Sequence, residues 1–180
     1  MAIKAYKPTT PGSRGMTTQD FSEITSKKPV RSLLTTKKKT TGRNNQGRIT
    51  TRHKGGAMRR YYRLVNFTLP AGITATVEHI EYDPNRSARI ARIKDQNGAY
   101  HYIIAAQGMK QGDSIASGVD APIENGNRVA LKNIPTGSTI YAIELQPGKG
   151  AQLVRSAGSG AQLIAKDGEY GQVQIGRAHV

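Results

Sequence analysis

Short runs of β-branched and apolar residues, separated by turn residues, make up the chain from position 61 onward. Runs at a spacing of about 8–12 residues are typical of small barrels and sandwiches. The first half of this region predicts five strands, over 61–68, 73–82, 88–94, 99–106 and 113–117. After a polar junction at 118–127, the second half predicts five more, over 128–133, 139–145, 151–155, 161–166 and 172–176. Helical periodicity is nearly absent, so the pattern predicts a mainly β protein with two small five-stranded units in tandem.

Two local signals refine this prediction. Asn97-Gly98 separates the third and fourth strands, and this pair favours the positive φ angles of a type I′ turn, so we expect the two strands to pair antiparallel. Within 73–82 the apolar side chains move from odd-numbered to even-numbered positions. A bulge or a strong bend explains such a change of phase, and small barrels need bends of this kind at their corners.

Positive charge is concentrated in the first third of the chain. The whole sequence has 27 Lys and Arg against 12 Asp and Glu, which gives a net charge of +15 and a pI near 10.3. Up to Arg63 there are 16 basic residues and two acidic ones, whereas the remainder is almost neutral. Such an excess is the electrostatic signature of a phosphate-rich partner. Residues 1–45 are rich in Thr, Pro and Lys, so we expect this basic arm to be disordered or loosely docked.

The composition excludes several kinds of chemistry. With no Cys, the chain forms no disulfide, no thiolate zinc site and no cysteine nucleophile, which favours an intracellular protein. Its first residues contain no apolar stretch of the length of a signal peptide or a membrane span, so we expect a soluble protein without a membrane partner.

Motifs of catalysis are also missing. The sequence has no phosphate-binding G-x-x-x-x-G-K-[ST] loop, no H-E-x-x-H and no G-x-S-x-G, and its four histidines are scattered. Glu78 with Glu81, or Asp113 with Asp120, are candidate carboxylate pairs, but we interpret them as solvent-facing strand residues. No acidic residue lies between Lys27 and Arg63, which disfavours a nuclease. We therefore predict no enzyme activity, no cofactor, no metal and no small-molecule substrate.

The most informative segment is GRNNQGRITTRHKGGAMRRYYR at 42–63. Its glycines allow close approach of the backbone to a ribose–phosphate surface, and guanidinium groups bind phosphates in a bidentate manner and stack on bases. Folded RNA, which is bound largely through its shape, fits this segment better than duplex DNA does. The basic side chains of the segment are Arg43, Arg48, Arg52, Lys54, Arg59, Arg60 and Arg63.

Five motifs in order then identify a family. The chain contains GRNNQGRITTRHKGG from position 42, EYDPNRSARIA at 81–91, SGVDAPIENGN at 117–127, NIPTGSTIYAIEL at 133–145 and PGKGAQLVRSAG at 147–158. Together they resemble the L-two family of universal large-subunit ribosomal proteins, in its bacterial or organellar form. The resemblance implies a basic extension that threads into large-subunit rRNA, an oligonucleotide-binding-type (OB-type) barrel and an SH3-like barrel. We accordingly expect the extension at 1–60, the first barrel at 61–117 and the second barrel at 118–180.

The resemblance also implies which residues contact RNA. In the basic segment these are Arg43, Asn44, Asn45, Arg48, Thr50, Arg52, His53 and Lys54. The DPNRSA turn adds Asn85 and Arg86, and the PGKG and RSAG turns add Lys149, Arg155 and Ser156. The implied function is that of a structural constituent of the large ribosomal subunit, in a cytoplasmic or organellar ribosome. It would bind rRNA and neighbouring ribosomal proteins and support rRNA folding, subunit assembly and subunit association.

One feature departs from the family. Family members continue beyond the second barrel with a long extension, rich in Gly, His and Arg, that reaches toward the peptidyl transferase centre, and GQVQIGRAHV at 171–180 does not match it. Either the sequence is a fragment in which the second barrel is truncated, or the extension of the family is lost, and His179 is not equated with the histidine of that extension. The alternative function is a general single-strand nucleic-acid-binding β-barrel protein, whose binding would follow charge and stacking without a preference for rRNA.

Overall fold

The computed structural model describes residues 3–55, 58–119 and 121–176. Short strands joined by turns make up this structure. In chain order they are β1 (Ile3–Ala5), β2 (Thr17–Gln19), β3 (Leu34–Thr36), β4 (Tyr61–Arg63), β5 (Ile73–Glu81), β6 (Ile90–Asp95), β7 (Tyr100–Ile104), β8 (Ser114–Ser117), β9 (Thr139–Ile140), β10 (Ala161–Asp167) and β11 (Tyr170–Ile175). The helical elements of the described residues are two 3-10 turns, at Pro11–Ser13 and Arg31–Leu33. The prediction of a mainly β fold is confirmed.

The first unit is centred on a four-stranded antiparallel sheet with the order β7-β6-β5-β8. Strands β5, β7 and β8 lie within the ranges predicted from the sequence, whereas β6 extends one residue beyond its predicted range, to Asp95. One face of the sheet forms the main hydrophobic core, in which Val77, Ile93 and Ile115 are almost completely buried. Burial of such a side chain contributes about 1.5–3 kcal/mol, so this sheet is the stable body of the protein.

The predicted hairpin between β6 and β7 is confirmed, but the predicted type I′ turn is wrong. Of the two residues Asn97 and Gly98, only Gly98 has a positive φ, of 81°. This is the pattern of a three-residue hairpin loop that ends in a left-handed glycine. The Asp95 carboxylate accepts hydrogen bonds from the N–H groups of Asn97 and Ala99, at 2.8 and 3.0 Å. These bonds favour the longer loop, since a two-residue turn would leave them unmade.

The predicted bulge in β5 is also confirmed. The register between β5 and β6 shifts between Val77 and His79. Beyond this shift Ile80 and Glu81 are both buried, so the bulge brings a carboxylate into the interior. The predicted series of buried apolar side chains, however, does not extend to Tyr82, which is 45% exposed.

Buried charges beside the bulge are paired. Arg92 Nη1 lies 3.1 Å from Glu81 Oε1, and Arg92 Nε lies 2.8 Å from Glu78 Oε2 without the alignment of a hydrogen bond. Burial raises the pKa of Glu81, while the Tyr102 hydroxyl and the positive charge of Arg92 act in the opposite direction. Glu78 and Glu81 are therefore a structural ion-pair cluster, and the expectation that both face solvent is wrong. The other candidate pair includes Asp120, which lies outside the described residues.

The second unit contains a three-stranded antiparallel sheet with the order β11-β10-β9. Leu163 is fully buried in this unit, and Ala161, Ala151 and Ile143 are also buried. The predicted strands at 128–133 and 151–155 are not formed.

Turn geometry interrupts these two segments. In 128–133, Arg128 forms a single bridge to Ser117, after which the chain turns so that the Asn133 N–H donates to the Ala130 carbonyl. In 151–155, Leu153 forms a single bridge to Ile143, and the ladder stops because Val154 has a φ of 54°. A β-branched residue rarely adopts this left-handed conformation, so apolar periodicity alone does not reveal the break.

The strand ladders of the described residues form open sheets rather than closed barrels. In the first unit the edge strands β7 and β8 do not pair with each other, and β4 pairs with β3 instead of with the four-stranded sheet. A single parallel bridge between Val65 and Tyr102 extends the edge beside β7. The two predicted units are therefore present as two sheets in the predicted order, without barrel closure among residues 3–55, 58–119 and 121–176.

The basic arm is largely irregular, as predicted, but its middle part is docked on the body. The Thr25 hydroxyl accepts a hydrogen bond from the Ile80 N–H at 2.9 Å. The Val30 N–H donates to the Tyr102 hydroxyl at 2.9 Å, and this hydroxyl donates to the Glu81 carboxylate at 2.8 Å. The arm is thus attached over the buried ion-pair cluster, which differs from the expected loose or disordered arm.

Candidate nucleic-acid interface

A long basic loop projects from a short β stem. Strands β3 and β4 pair antiparallel with Thr36 opposite Tyr61, so residues 37–60 form the loop that this stem closes. The residues at 43–55 are all exposed. The sequence has no acidic residue between Glu23 and Glu78, so the loop presents its positive charge to solvent without neutralisation from neighbours in the chain.

Backbone hydrogen bonds fix the base of this loop. The Gly42 carbonyl accepts from the N–H groups of Thr50 and Thr51, at 2.9 and 3.1 Å. Gly42 has a φ of 72°, and a Cβ atom at this position would collide with the Thr51 carbonyl oxygen. Only glycine fits this close approach, which explains the glycine at the start of the segment.

Asn44 shapes the tip of the loop. Its side-chain oxygen accepts hydrogen bonds from the N–H groups of Gln46 and Arg48, at 3.0 and 2.9 Å. The backbone N–H of Asn44 donates to the Arg48 carbonyl at 2.9 Å. Side-chain bonds to a neighbouring backbone are the usual way in which asparagine stabilises a turn. Asn44 therefore has an internal role that the sequence did not indicate.

The other residues assigned to this segment fall into two groups. Arg43 and Thr50 also bond within the loop, since Arg43 Nη1 donates to the Thr41 hydroxyl at 2.8 Å and the Thr50 hydroxyl donates to the Gly42 carbonyl at 3.2 Å. The second group has exposed side chains at the outer surface of the loop. Its members are Asn45, Arg48, Arg52, His53 and Lys54.

Three arginines at the stem are held in place. The Arg59 guanidinium lies 5.5 Å from the centre of the Tyr61 ring. Arg60 Nη1 donates to the Pro84 carbonyl at 3.0 Å, and Arg63 Nη1 donates to the Tyr61 carbonyl at 2.9 Å. Arg63 is half-buried, whereas Arg59 and Arg60 are exposed. The stem therefore presents two oriented guanidinium groups to solvent.

The DPNRSA turn is organised by a buried carboxylate. Asp83 is fully buried, and Arg86 Nε donates to its Oδ2 atom at 2.6 Å. The Asn85 side chain donates to Asp83 Oδ1 at 3.0 Å and to the Tyr61 carbonyl at 2.8 Å. Asn85 thus joins the turn to the stem, while the Arg86 side chain, which is only 17% exposed, pairs with Asp83 along one edge of its guanidinium group.

Phe67 brings the DPNRSA turn and the RSAG turn together. The guanidinium carbons of Arg86 and Arg155 lie 5.9 and 5.0 Å from the centre of the Phe67 ring. The Phe67 carbonyl accepts a hydrogen bond from the Ala151 N–H at 3.0 Å, and Ser87 Oγ accepts one from the Ala157 N–H at 3.2 Å. Two arginines from the two units therefore share one aromatic ring.

Backbone strain shapes the second side of this surface. Val154 and Ala142 have positive φ angles of 54° and 50°, and the Ala142 N–H donates to the Val154 carbonyl at 2.9 Å. This strained position immediately precedes Arg155. Backbone strain of this kind often occurs at functional sites. Lys149 in the PGKG turn and Ser156 in the RSAG turn, the other two residues assigned here, are exposed.

Two family models match the chain. The model described as "Ribosomal Proteins L2, RNA binding N-terminal domain" matches residues 30–117. The model described as "Ribosomal Proteins L2, C-terminal domain" matches residues 124–178. The chain belongs to the L2 family of ribosomal proteins. The resemblance carried by the five sequence motifs is thus confirmed.

Family membership agrees with the structure. The two L2 domains occur in the order of the two sheets and fit an OB-type unit followed by an SH3-like unit. As an L2-family protein the chain is a structural, rRNA-binding component of the large ribosomal subunit, and its place is the ribosome. The L2 family is a family of structural ribosomal proteins.

Within 3–55, 58–119 and 121–176, no group of three or more His, Cys, Asp or Glu residues has the arrangement of a metal site. Over the same part of the chain, no helix has the length and apolar character needed to cross a membrane.

Sequence reasoning missed several residues that build this L2 surface. Phe67 had no signal beyond its place in a predicted strand. Arg128 joins the units, since its Nη1 donates to the Leu69 carbonyl at 2.8 Å and its Nη2 pairs with Glu144. Glu144 Oε2 in turn accepts from the Gly148 N–H at 2.8 Å, which fixes the PGKG turn. The signal that the sequence offered for this contact was Glu144, an isolated acidic residue just before the basic PGKG turn.

Proposed function

We propose that this L2-family chain binds large-subunit rRNA through two surfaces that the stem connects. The first is the outer surface of the loop, with Arg48, Arg52, His53 and Lys54. The second is the paired-arginine surface, which we define as Arg86 and Arg155 on Phe67 with Lys149 and Ser156. Arg43, Asn44, Asn45, Thr50 and Asn85 support or flank these surfaces, and Arg59, Arg60 and Arg63 lie between them at the stem.

The observation that carries this proposal is the approach of two guanidinium groups to one ring. Arg86 is neutralised by Asp83 at 2.6 Å, whereas none of the described residues forms an ion pair with Arg155. Arg155 therefore keeps a positive charge that no described carboxylate neutralises, and this charge favours contact with a phosphate of the RNA backbone. Planar guanidinium groups also stack on unpaired bases, which folded RNA offers in its loops and bulges.

The proposal also includes the domain boundaries of the chain and its role in the ribosome. The chain is divided into an extension at 1–60, an OB-type unit at 61–117 and an SH3-like unit at 118–180. In the ribosome of the cytoplasm it contacts neighbouring ribosomal proteins and supports rRNA folding, subunit assembly and subunit association. It has no catalytic function and no small-molecule substrate, and the absence of acidic residues from the basic loop supports this.

A competition experiment tests rRNA preference. Labelled large-subunit rRNA is bound at near-physiological salt and competed with unlabelled rRNA or with an equal mass of unrelated structured RNA. We expect the unrelated RNA to compete at least tenfold less well. Equal competition would contradict the proposal and favour the general single-strand-binding protein, whose affinity follows charge and stacking.

Variants of Arg155 test the paired-arginine surface. Arg155→Ala removes an exposed guanidinium without exposing the buried Asp83, and we expect about a tenfold loss of rRNA affinity, which equals about 1.4 kcal/mol. Arg155→Lys keeps the charge but loses the planar group, so it recovers only part of the affinity. The matched control is Lys94→Ala, on the exposed end of β6. Equal affinities of the Arg155→Ala and control variants would remove this surface from the proposal.

A further inference from the structure

A small basic cavity lies at the stem of the loop. It has a volume of about 220 Å³ and is lined by Thr36, Lys37, Lys39, Arg59 and Arg60. Thr36 is the last residue of β3, and Tyr61, opposite it, is the first residue of β4. The cavity therefore sits where the two ends of the basic loop meet, apart from both surfaces described above. We call it the stem cavity.

Charge in the stem cavity is not compensated by its walls. Four of its five lining residues are cationic, and no carboxylate lines it. The sequence offers no acidic residue from position 24 to position 77. Bringing several like charges into one concavity costs free energy, and a bound anion removes this cost. The stem cavity thus has the electrostatics of an anion site.

Contacts outside the stem cavity orient its cations. Lys39 Nζ donates to the Met58 carbonyl at 2.7 Å, which joins the two sides of the loop. Arg59 lies over the Tyr61 ring, and Arg60 bonds to the Pro84 carbonyl. Side chains that are already held lose less conformational entropy when a ligand binds. The cavity is therefore partly organised before any anion arrives.

The chemistry of the lining residues selects the kind of anion. Ammonium and guanidinium groups are hydrogen-bond donors only, and the Thr36 hydroxyl adds one more donor. A nucleobase presents donors as well as acceptors, and the four cationic side chains of the lining accept no hydrogen bond from its donors. A phosphate group presents only acceptor oxygens and negative charge, so it matches the cavity.

We propose that the stem cavity binds one phosphate group and that this phosphate belongs to the RNA backbone, so that it fixes the direction in which the loop leaves the stem. This inference rests on the proposed function because it takes rRNA as the source of the phosphate. Free phosphate has the same chemistry and is the alternative source. In either case Lys37 and Lys39 become binding residues, in addition to those that the family resemblance implied.

The experiment compares two double variants of the whole chain with the same change of charge. Lys37→Gln with Arg59→Gln neutralises the cavity, and Lys94→Gln with Lys110→Gln is the matched control on exposed positions of the body. The first measurement is the shift of Tm by inorganic phosphate relative to chloride at equal ionic strength. The second measurement is the dependence of rRNA affinity on salt, compared with that of unrelated structured RNA.

We expect phosphate to raise the Tm of the wild type and of the control variant but not that of the cavity variant. The negative slope of log affinity against log salt is expected to become shallower by about one in the cavity variant, beyond any change in the control. The charge-conserving change Lys37→Arg with Arg59→Lys is expected to restore both properties, which shows that the loss reflects charge rather than misfolding.

The outcomes separate the two proposals. If the cavity variant matches the control in both Tm shift and salt slope, the stem cavity is not a phosphate site. If the Tm shift is lost but the slope for rRNA is unchanged, the RNA backbone is overturned as the source and free phosphate is supported. If rRNA and unrelated RNA bind equally while the cavity variant loses its Tm shift, the proposed function fails and the phosphate site stands.

Discussion

Arginines of the body and cations of the basic loop differ in their partners. In the body, each of three arginines forms an ion pair with a carboxylate that is largely or fully buried. These pairs are Arg86 with Asp83, Arg92 with Glu81 and Arg128 with Glu144. In the loop the observed partners of Arg43, Arg60 and Lys39 are carbonyl or hydroxyl oxygens, and that of Arg59 is an aromatic ring.

This difference indicates which cations maintain the fold and which bind a partner. A buried carboxylate that loses its cation carries an uncompensated charge, so the body depends on its arginines for stability. A carbonyl that loses an exposed cation turns to water at little cost. The loop can therefore direct its charge to RNA phosphates without weakening the structure that supports it.

The largest expected effect is on the stability of the body. Arg92→Met leaves Glu81, which is 2% exposed, without its ion pair, and we expect the free energy of unfolding to fall by about 3–5 kcal/mol. Denaturant titration measures this loss. As a control, Arg52→Met in the exposed loop is expected to change stability by no more than about 0.5 kcal/mol. Similar losses in the two variants would remove the distinction between body and loop.

The second effect is on RNA binding, and we expect it for substitutions in the loop rather than in the body. Arg48→Ala with Arg52→Ala is expected to lower rRNA affinity about tenfold and to reduce the salt slope by one to two, because phosphate contacts are lost. The thermal unfolding of this variant should match that of the wild type, since both side chains are exposed. Wild-type affinity would exclude the outer surface of the loop from the RNA interface.

The smallest effect concerns the internal role of Asn44. Asn44→Ala removes the acceptor of the Gln46 and Arg48 N–H groups and is expected to destabilise the loop locally by about 1 kcal/mol. Amide hydrogen exchange without RNA measures this as faster exchange at these two residues. Asn44→Asp keeps an acceptor oxygen and should retain slow exchange. Unchanged exchange in Asn44→Ala would leave RNA contact as the one role for this residue.

Strands with regular local patterns could be predicted from the sequence. The alternation in 73–82, its change of phase at the bulge and the hairpin signal at Asn97-Gly98 are all local, and the structure contains each of them. The failures arise where tertiary contacts decide the backbone. Val154 is apolar and β-branched, but its left-handed φ is set by its bond with Ala142 and ends the predicted strand.

The basic residues and glycines in the sequence of the loop were sufficient to predict that its basic side chains are exposed. Arg48, Arg52 and Lys54 are exposed as their composition indicated. The paired-arginine surface was only partly predictable, because Arg86 and Arg155 are 69 positions apart and meet through Phe67. The docked arm was not predictable, since Val30 is attached by the hydroxyl of Tyr102, a residue that periodicity assigns to the core.

The stem of β3 and β4 also bears on how this protein can change over evolution. Because the stem closes the loop between Thr36 and Tyr61, insertions in the loop add only closure entropy, about 0.6 kcal/mol for each doubling of its length. Such insertions leave the packing of the buried core unchanged. The stability of the fold therefore places little constraint on the length of this loop.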